Sequence, residues 1–177
     1  QTRNTLGSNN LYTNFTSLSG TKNKLGYYAF FNYKEGDGFR DNSNFSSRNM
    51  YLKLVYKLSD KTEISGEITY LNYLAKQAGG LNDAMFDSDP YQSNRSRNWF
   101  AINWLLYNAK VTHEFSESTK FSFNFFGLDA TRDALGFRTN RVDQVDSFEA
   151  RDLIKGDFKN YGFESRLIHN YKLLNKN

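Results

Sequence analysis

The stretch MYLKLVYKLSDKTEISGEITY, residues 50–70, decides the fold of this chain, because its polarity changes at every second residue. Side chains alternate between the two faces of a β-strand, so a period of two indicates a sheet with one apolar face. The four-residue polar turn 59–62 separates two such strands. The apolar set is Leu52, Leu54, Tyr56, Leu58, Ile64, Gly66, Ile68 and Tyr70, and the polar set is Lys53, Lys57, Glu63, Ser65, Glu67 and Thr69.

The same alternation continues along the chain in weaker form, and we expect seven strands. They cover about 11–18, 25–34, 50–58, 63–70, 99–115, 120–129 and 158–173. The links alternate between short polar turns (19–24, 59–62, 116–119) and long loops (35–46, 74–98, 131–157). Globular strands cluster near about 5–6 residues, whereas a tilted strand needs about 9–11 to cross a bilayer. The strand length and the short-long alternation are typical of an outer-membrane barrel.

The composition excludes several classes of protein. Mean hydropathy is −0.72 and no run of about 18 apolar residues occurs, which excludes transmembrane helices but not a barrel with a polar interior. The absence of cysteine excludes disulfides and thiolate-metal sites. Lysines and arginines are scattered among acids at a net charge of +4, so we expect no nucleic acid partner. The polar start, Gln1–Asn4, contains no signal peptide, and we expect the beginning of the precursor to be missing or processed.

Seven strands do not make a complete barrel, because bacterial single-chain barrels have an even number of at least about eight. Open edges and an exposed apolar band are not viable in lipid. We therefore expect an all-β chain, an antiparallel transmembrane β-barrel segment, in which residues 1–177 are one part of a larger barrel. The alternative is a soluble antiparallel sandwich or a large soluble barrel, which predicts shorter strands and no asymmetry of link length.

Several loop segments carry a resemblance to a known family. They are GDGFRDNS at 36–43, AGGLNDAMF at 78–86, DP at 89–90, RSRNWF at 95–100 and DFKNYGFE at 157–164. In their order and their placement at strand ends, these segments resemble the barrel of TonB-dependent outer-membrane receptors, most closely the branch akin to the ferric-dicitrate receptor. The resemblance extends over nearly the whole chain.

The resemblance implies a barrel of about 22 strands in the bacterial outer membrane, with an N-terminal plug domain that is absent from this chain. It implies active uptake of a ferric chelate, ferric citrate or another siderophore, bound at the extracellular loops. The implied partners are the TonB complex acting through the plug, outer-membrane lipid or lipopolysaccharide, and the chelate itself. Haem, a vitamin or a glycan remains open as the ligand. A passive porin or secretion-type barrel and a soluble β-rich binding module are the alternatives.

Ferric chelates such as dicitrate are anionic, so their receptor needs guanidinium groups at the outer rim, where arginine pairs with carboxylates in bidentate fashion. The two longest links supply the candidate ligand-binding residues, which are Arg95, Arg97, Arg132, Arg138 and Arg141. The alternative is that each arginine pairs with a loop acid, such as Asp83, Asp87, Asp133 or Asp143.

The sequence predicts no catalytic residue, no metal site and no cofactor apart from the transported chelate. No nucleophile-elbow motif or glycine-rich phosphate loop occurs. Asp83, Asp87 and Asp89 could offer oxygen ligands to calcium, but their spacing does not match an EF-hand loop. His113 and His169 are expected at the membrane interface on the lipid-facing side.

Overall fold

The computed structural model describes residues 1–137 and 141–172, which form one antiparallel sheet of eight strands. Each strand pairs with the next in chain order, in the meander that a barrel wall requires. The strands are β1 Thr2–Leu6, β2 Tyr12–Lys22, β3 Leu25–Gly36, β4 Phe45–Ser59, β5 Thr62–Lys76, β6 Trp99–Ser116, β7 Thr119–Leu135 and β8 Leu153–His169. A short helix, α1 Asp83–Ser88, lies between β5 and β6. Within residues 1–137 and 141–172, no helix is long and apolar enough to cross a membrane.

The prediction of seven strands is wrong, because β1 makes an eighth. Its sequence, TRNTL, has one apolar residue and every position is exposed, so side-chain periodicity gives no signal. Pairing with β2 holds it in place, from Thr2 opposite Thr16 to Leu6 opposite Tyr12. Since the number of strands is even, it does not by itself indicate an incomplete barrel. Since β1 and β8 do not pair with each other in the described part of the chain, the sheet is open at both edges.

The predicted alternation of short and long links is confirmed. One end of the sheet carries two-residue turns at 23–24, 60–61 and 117–118. Asn23 in the first turn has a φ of 54°, the left-handed conformation that two-residue hairpin turns favour. The other end carries the links 7–11, 37–44, 77–98 and 136–152.

The register places apolar side chains in a belt on one face, beside the short turns. One cross-strand row of this belt contains Leu18, Ala29, Leu52, Ile68 and Tyr107, and another contains Leu25, Tyr56, Ile64, Val111 and Phe123. Towards the long loops the same face becomes polar, with a row of Asn14, Tyr33, Arg48, Asn72 and Asn103. The strands therefore extend past the apolar belt on the long-loop side.

The opposite face of the sheet is polar beside the short turns. Lys53 Nζ lies 3.7 Å from a carboxylate oxygen of Glu67, and the Asn108 side-chain amide donates to Asn124 at 2.7 Å. Neither face is covered by a second layer, because only Ala78 and Ala130 are buried apolar residues within the described ranges. A sheet without a core and with an apolar belt has the pattern of a membrane wall.

Three glycines bring aromatic rings close to the backbone and help to set the register. Each glycine lies directly opposite the aromatic residue on the neighbouring strand, in the pairs Gly20–Tyr27, Gly127–Tyr107 and Gly162–Phe126. A Cβ atom on Gly20 would lie 2.5 Å from Tyr27 Oη, and one on Gly162 would lie 3.0 Å from Phe126 Cζ. Such aromatic cover of a strand glycine stabilises one register over its neighbours.

Candidate functional site

Three loops meet at the long-loop end of the sheet. We name them L1 (37–44), L2 (77–98) and L3 (136–152), of which 138–140 lie outside the described residues. L2 is the central loop, since it follows β5 and precedes β6 while L1 and L3 join the strands on either side. Their mutual contacts determine which charged side chains remain available to a ligand.

L1 is tied to L2 mainly by Arg40. Its Nε and Nη2 donate to the Gln92 carbonyl oxygen at 3.0 and 2.9 Å, and its Nη1 donates to the Gly79 carbonyl oxygen at 2.7 Å. The Asp41 amide donates to the Tyr91 carbonyl oxygen at 2.9 Å. Asn42, with a φ of 51°, turns its side-chain amide towards the carbonyl oxygens of L2. The sequence analysis does not predict that Arg40 joins these two loops.

L2 contains the short helix α1, which begins after Asn82. The side chain of Asn82 accepts from the Met85 amide at 2.9 Å and caps the helix. The Gln92 side-chain amide donates to the Met85 carbonyl oxygen at 2.6 Å and folds the loop back on the helix. Among residues 1–137 and 141–172, no group of three or more His, Asp and Glu side chains is arranged to hold a metal ion.

Arg95 is buried at the contact between L2 and L3, with 5% of its surface exposed. Its Nη1 donates to the carbonyl oxygens of Asn94 at 2.6 Å and Gln144 at 3.1 Å, and its guanidinium lies 5.1 Å from the centre of the Phe137 ring. The neighbouring Asn94 side chain donates to the Val142 carbonyl oxygen at 2.8 Å. Arg95 therefore joins the two loops through backbone carbonyls.

Arg97 pairs with Asp146 of L3. Arg97 donates to Asp146 through Nη2 at 2.8 Å and through Nε at 3.3 Å, in a bidentate fork. Arg151 Nη2 donates to the same carboxylate at 2.8 Å, and the Phe148 amide donates to it at 2.9 Å. Asp146 thus accepts four hydrogen bonds although only 5% of its surface is exposed.

The surroundings of Asp146 favour its charged form. Burial by itself raises the pKa of this carboxyl, because desolvation disfavours the anion. The hydrogen bonds from Arg97, Phe148 and Arg151 and the charge of Arg97 outweigh burial and lower the pKa to about 2. A carboxylate at this position is consequently ionised throughout the neutral range.

The other predicted arginines lie elsewhere. Arg132 is on β7, on the same face as Lys53, and its exposed guanidinium is 5.9 Å from the centre of the Phe158 ring. Arg141 is exposed in L3, with Nε 3.9 Å from an Asp143 oxygen, as the alternative of loop ion pairs predicts. Arg138 lies outside the described residues. The structure thus brings Arg95 and Arg97 to the L2–L3 contact, and places Arg132 on the strand wall.

The sequence pattern does not distinguish Asp146 and Arg151 from the other charged residues of L3. Both occur in a loop rich in acids and bases, and nothing in the local pattern distinguishes Asp146 from Asp143. Only burial separates them, since 56% of the Asp143 side chain is exposed against 4% for Asp146. A sequence signal for such a residue would require its partner, Arg97, to be known in advance.

Comparison with known proteins supports the fold. No protein-family model matches the chain, and no curated protein matches it by sequence. The crystal structure of the ferric citrate transporter FecA in its unliganded form matches with a TM-score of 0.80, at 20% identity over 94% of this chain. The chain spans about a quarter of that protein, since it covers 24% of its length. The likeness shows that this all-β antiparallel sheet has the fold of a segment of that transporter's barrel.

Proposed function

We propose that residues 1–177 form part of the wall and outer rim of an outer-membrane barrel that takes up a ferric chelate. The observation that supports this most is the arrangement of one apolar belt, short turns at one end and arginine-bearing loops at the other. The similarity of the fold to the ferric citrate transporter FecA supports the same proposal. The belt contacts outer-membrane lipid or lipopolysaccharide, and the loops face the outside.

Uptake in this proposal depends on TonB, which acts through a plug domain elsewhere in the full-length protein. Scarce chelates need active transport, because passive diffusion cannot concentrate them. The polar face beside the short turns carries Lys53, Glu67, Asn108 and Asn124, and it faces the plug or the water inside the barrel.

The first ligand to test is ferric citrate, an anion that guanidinium groups bind well. Among the predicted arginines that the structure describes, Arg132 on its strand and Arg141 in its loop have exposed side chains, and we propose that they contact ferric citrate. Arg95 is buried among carbonyl oxygens and supports the rim from within.

Growth with ferric citrate as the sole iron source, with and without the intact gene, tests the proposal. Arg132→Gln should weaken the binding of ferric citrate by about 10-fold or more, since a charge-assisted hydrogen bond contributes about 1.5–3 kcal/mol. Arg166→Gln is the matched control, because Arg166 pairs with Glu164 at the short-turn end of β8. Equal growth of the deletion strain would refute the citrate assignment, and uptake that persists without TonB would favour a passive barrel.

A further inference from the structure

The two parts of L3 are held to the rim differently: Asn94 and Arg95 of L2 donate to the carbonyl oxygens of Val142 and Gln144, whereas the segment 145–150 is held through Asp146. Every residue from 141 to 150 is exposed except Asp146. The residues around Asp146 are apolar yet open to solvent, with Val145 81% and Phe148 63% exposed. Phe148 also has a φ of 57°, a left-handed conformation that is uncommon for a bulky residue. We name the segment 145–150 the latch, because its side-chain carboxylate at Asp146 and its carbonyl oxygens at Phe148 and Glu149 are held by arginines outside it.

The groups that hold this carboxylate are built on strand ends rather than on the latch. Arg97 lies two residues before β6, and Arg151 lies two residues before β8. Phe137 lies two residues after β7, and the Arg151 guanidinium stacks 4.6 Å from the centre of its ring. We name Arg97 and Arg151 the cradle. Both cradle residues therefore lie next to strand ends and outside the latch.

The cradle has the chemistry that an external carboxylate would use. Two guanidinium groups donate to one carboxylate, one of them through a bidentate fork. Solvent reaches both groups, since 32% of the Arg97 side chain and 17% of the Arg151 side chain are exposed. Asp146 therefore occupies a carboxylate site that opens towards the outside of the barrel.

We propose that Asp146 is an internal substitute for a ligand carboxylate, which a carboxylate-bearing chelate displaces from the Arg97–Arg151 cradle, releasing the latch. The exchange replaces one carboxylate with another, so the guanidinium groups keep their charge-assisted hydrogen bonds throughout. The ligand needs only to bind the open form better than the closed one to shift the population. This inference rests on the proposed function for the identity of the ligand, and it goes beyond it by assigning the site and the loop movement.

The sign of one mutational effect distinguishes a competing carboxylate from a merely structural one. Removal of a competitor tightens ligand binding, whereas removal of a positioning group weakens it. Asp146→Ala in the full-length protein should bind ferric citrate about tenfold more tightly, as expected if only about a tenth of the molecules have a free cradle. Asp146→Asn, which keeps the side-chain shape, should show a smaller gain. Asp143→Ala is the matched control and should leave the affinity unchanged, and Arg97→Gln should abolish the gain.

Hydrogen exchange of the latch gives a readout that does not require transport. Addition of free citrate, without iron, to the full-length protein should speed exchange in residues 145–150, and it should have no such effect on Arg97→Gln. If citrate releases the latch but no uptake of ferric citrate occurs, the proposed function fails and the inference stands. If uptake occurs while Asp146→Ala binds more weakly or the latch keeps its protection, the inference is overturned and the proposed function stands.

Discussion

Substitution of Gly127 by alanine should destabilise the sheet, because an aromatic ring occupies the space of the missing side chain. Gly127 on β7 lies directly opposite Tyr107 on β6. A Cβ atom there would come well under 3.0 Å from the Cζ and Oη atoms of Tyr107, a separation that real Cβ atoms do not show. The ring would have to retreat by roughly 1 Å to regain ordinary contact.

The cost follows from the contacts that the ring would lose. Forced repacking of this kind costs about 1–3 kcal/mol. The Tyr107 ring also contacts Phe125, with centroids 6.1 Å apart, and such pairs contribute about 0.5–1.5 kcal/mol. Alanine also lowers the conformational entropy of the unfolded chain, which offsets about 0.4–1 kcal/mol of this cost. We expect a net loss of about 1–2 kcal/mol in the free energy of unfolding.

Gly66→Ala is the matched control, since Gly66 lies in mid-strand on the same face of the sheet. The nearest atom to a Cβ at Gly66 is the Asn108 carbonyl oxygen at 3.7 Å, an ordinary contact. This variant should be neutral or more stable by about 0.4–1 kcal/mol. Denaturant unfolding of the full-length protein in lipid vesicles, followed by tryptophan fluorescence, measures both variants. Tyr107→Leu combined with Gly127→Ala should remove the penalty, and an equal stability of the two alanine variants would refute the role of the ring.

Three further predictions concern the loops and the turns. Because the pKa of Asp146 is lowered to about 2, the stability that its ionic contacts contribute should be fully present from neutral pH to about 4 and should fall as the pH drops from about 4 to about 2. Pepsin cleavage at Phe148 should rise over that interval. Arg40→Ala removes the hydrogen bonds to the carbonyl oxygens of L2, so hydrogen exchange in residues 37–44 should accelerate about tenfold or more, with only partial recovery in Arg40→Lys. Lys120→Ala should change the free energy of unfolding by less than about 1 kcal/mol, because its ion pair with Glu114 is exposed on both sides; a larger change would contradict the screening argument.

The hairpin 50–70 shows why the strands within the apolar belt can be predicted from the sequence. Leu52 lies opposite Ile68 and Tyr56 lies opposite Ile64, in the rows that the period-two pattern predicts. Period-two polarity carries this information because a slip of one residue would turn every apolar side chain to the wrong face. The pattern disappears where the strands leave the apolar belt, so residues 45–46 of β4 and 74–76 of β5 fall within the predicted loops 35–46 and 74–98. Backbone hydrogen bonds hold those extensions, and side-chain polarity does not reveal them.

The contacts of the loops, unlike the strands, cannot be predicted from local sequence. The sequence indicates that arginines cluster in the long links, but it does not indicate which of them are bound by carbonyl or carboxylate oxygens of the chain itself. Arg97 and Asp146 are 49 residues apart in the chain and meet only because β6, β7 and β8 are neighbours in the sheet. The exposure of Arg132 likewise depends on its position on β7 and on the residues that face it across the sheet.

The strand class, the apolar belt and the alternation of short and long links can be predicted from the chain alone, because they follow from local alternation and local turn composition. The eighth strand, the loop contacts and the burial of Asp146 become visible only in the folded sheet. Those features depend on which distant residues the sheet brings together, and the free energy of a buried ion pair exists only after that encounter.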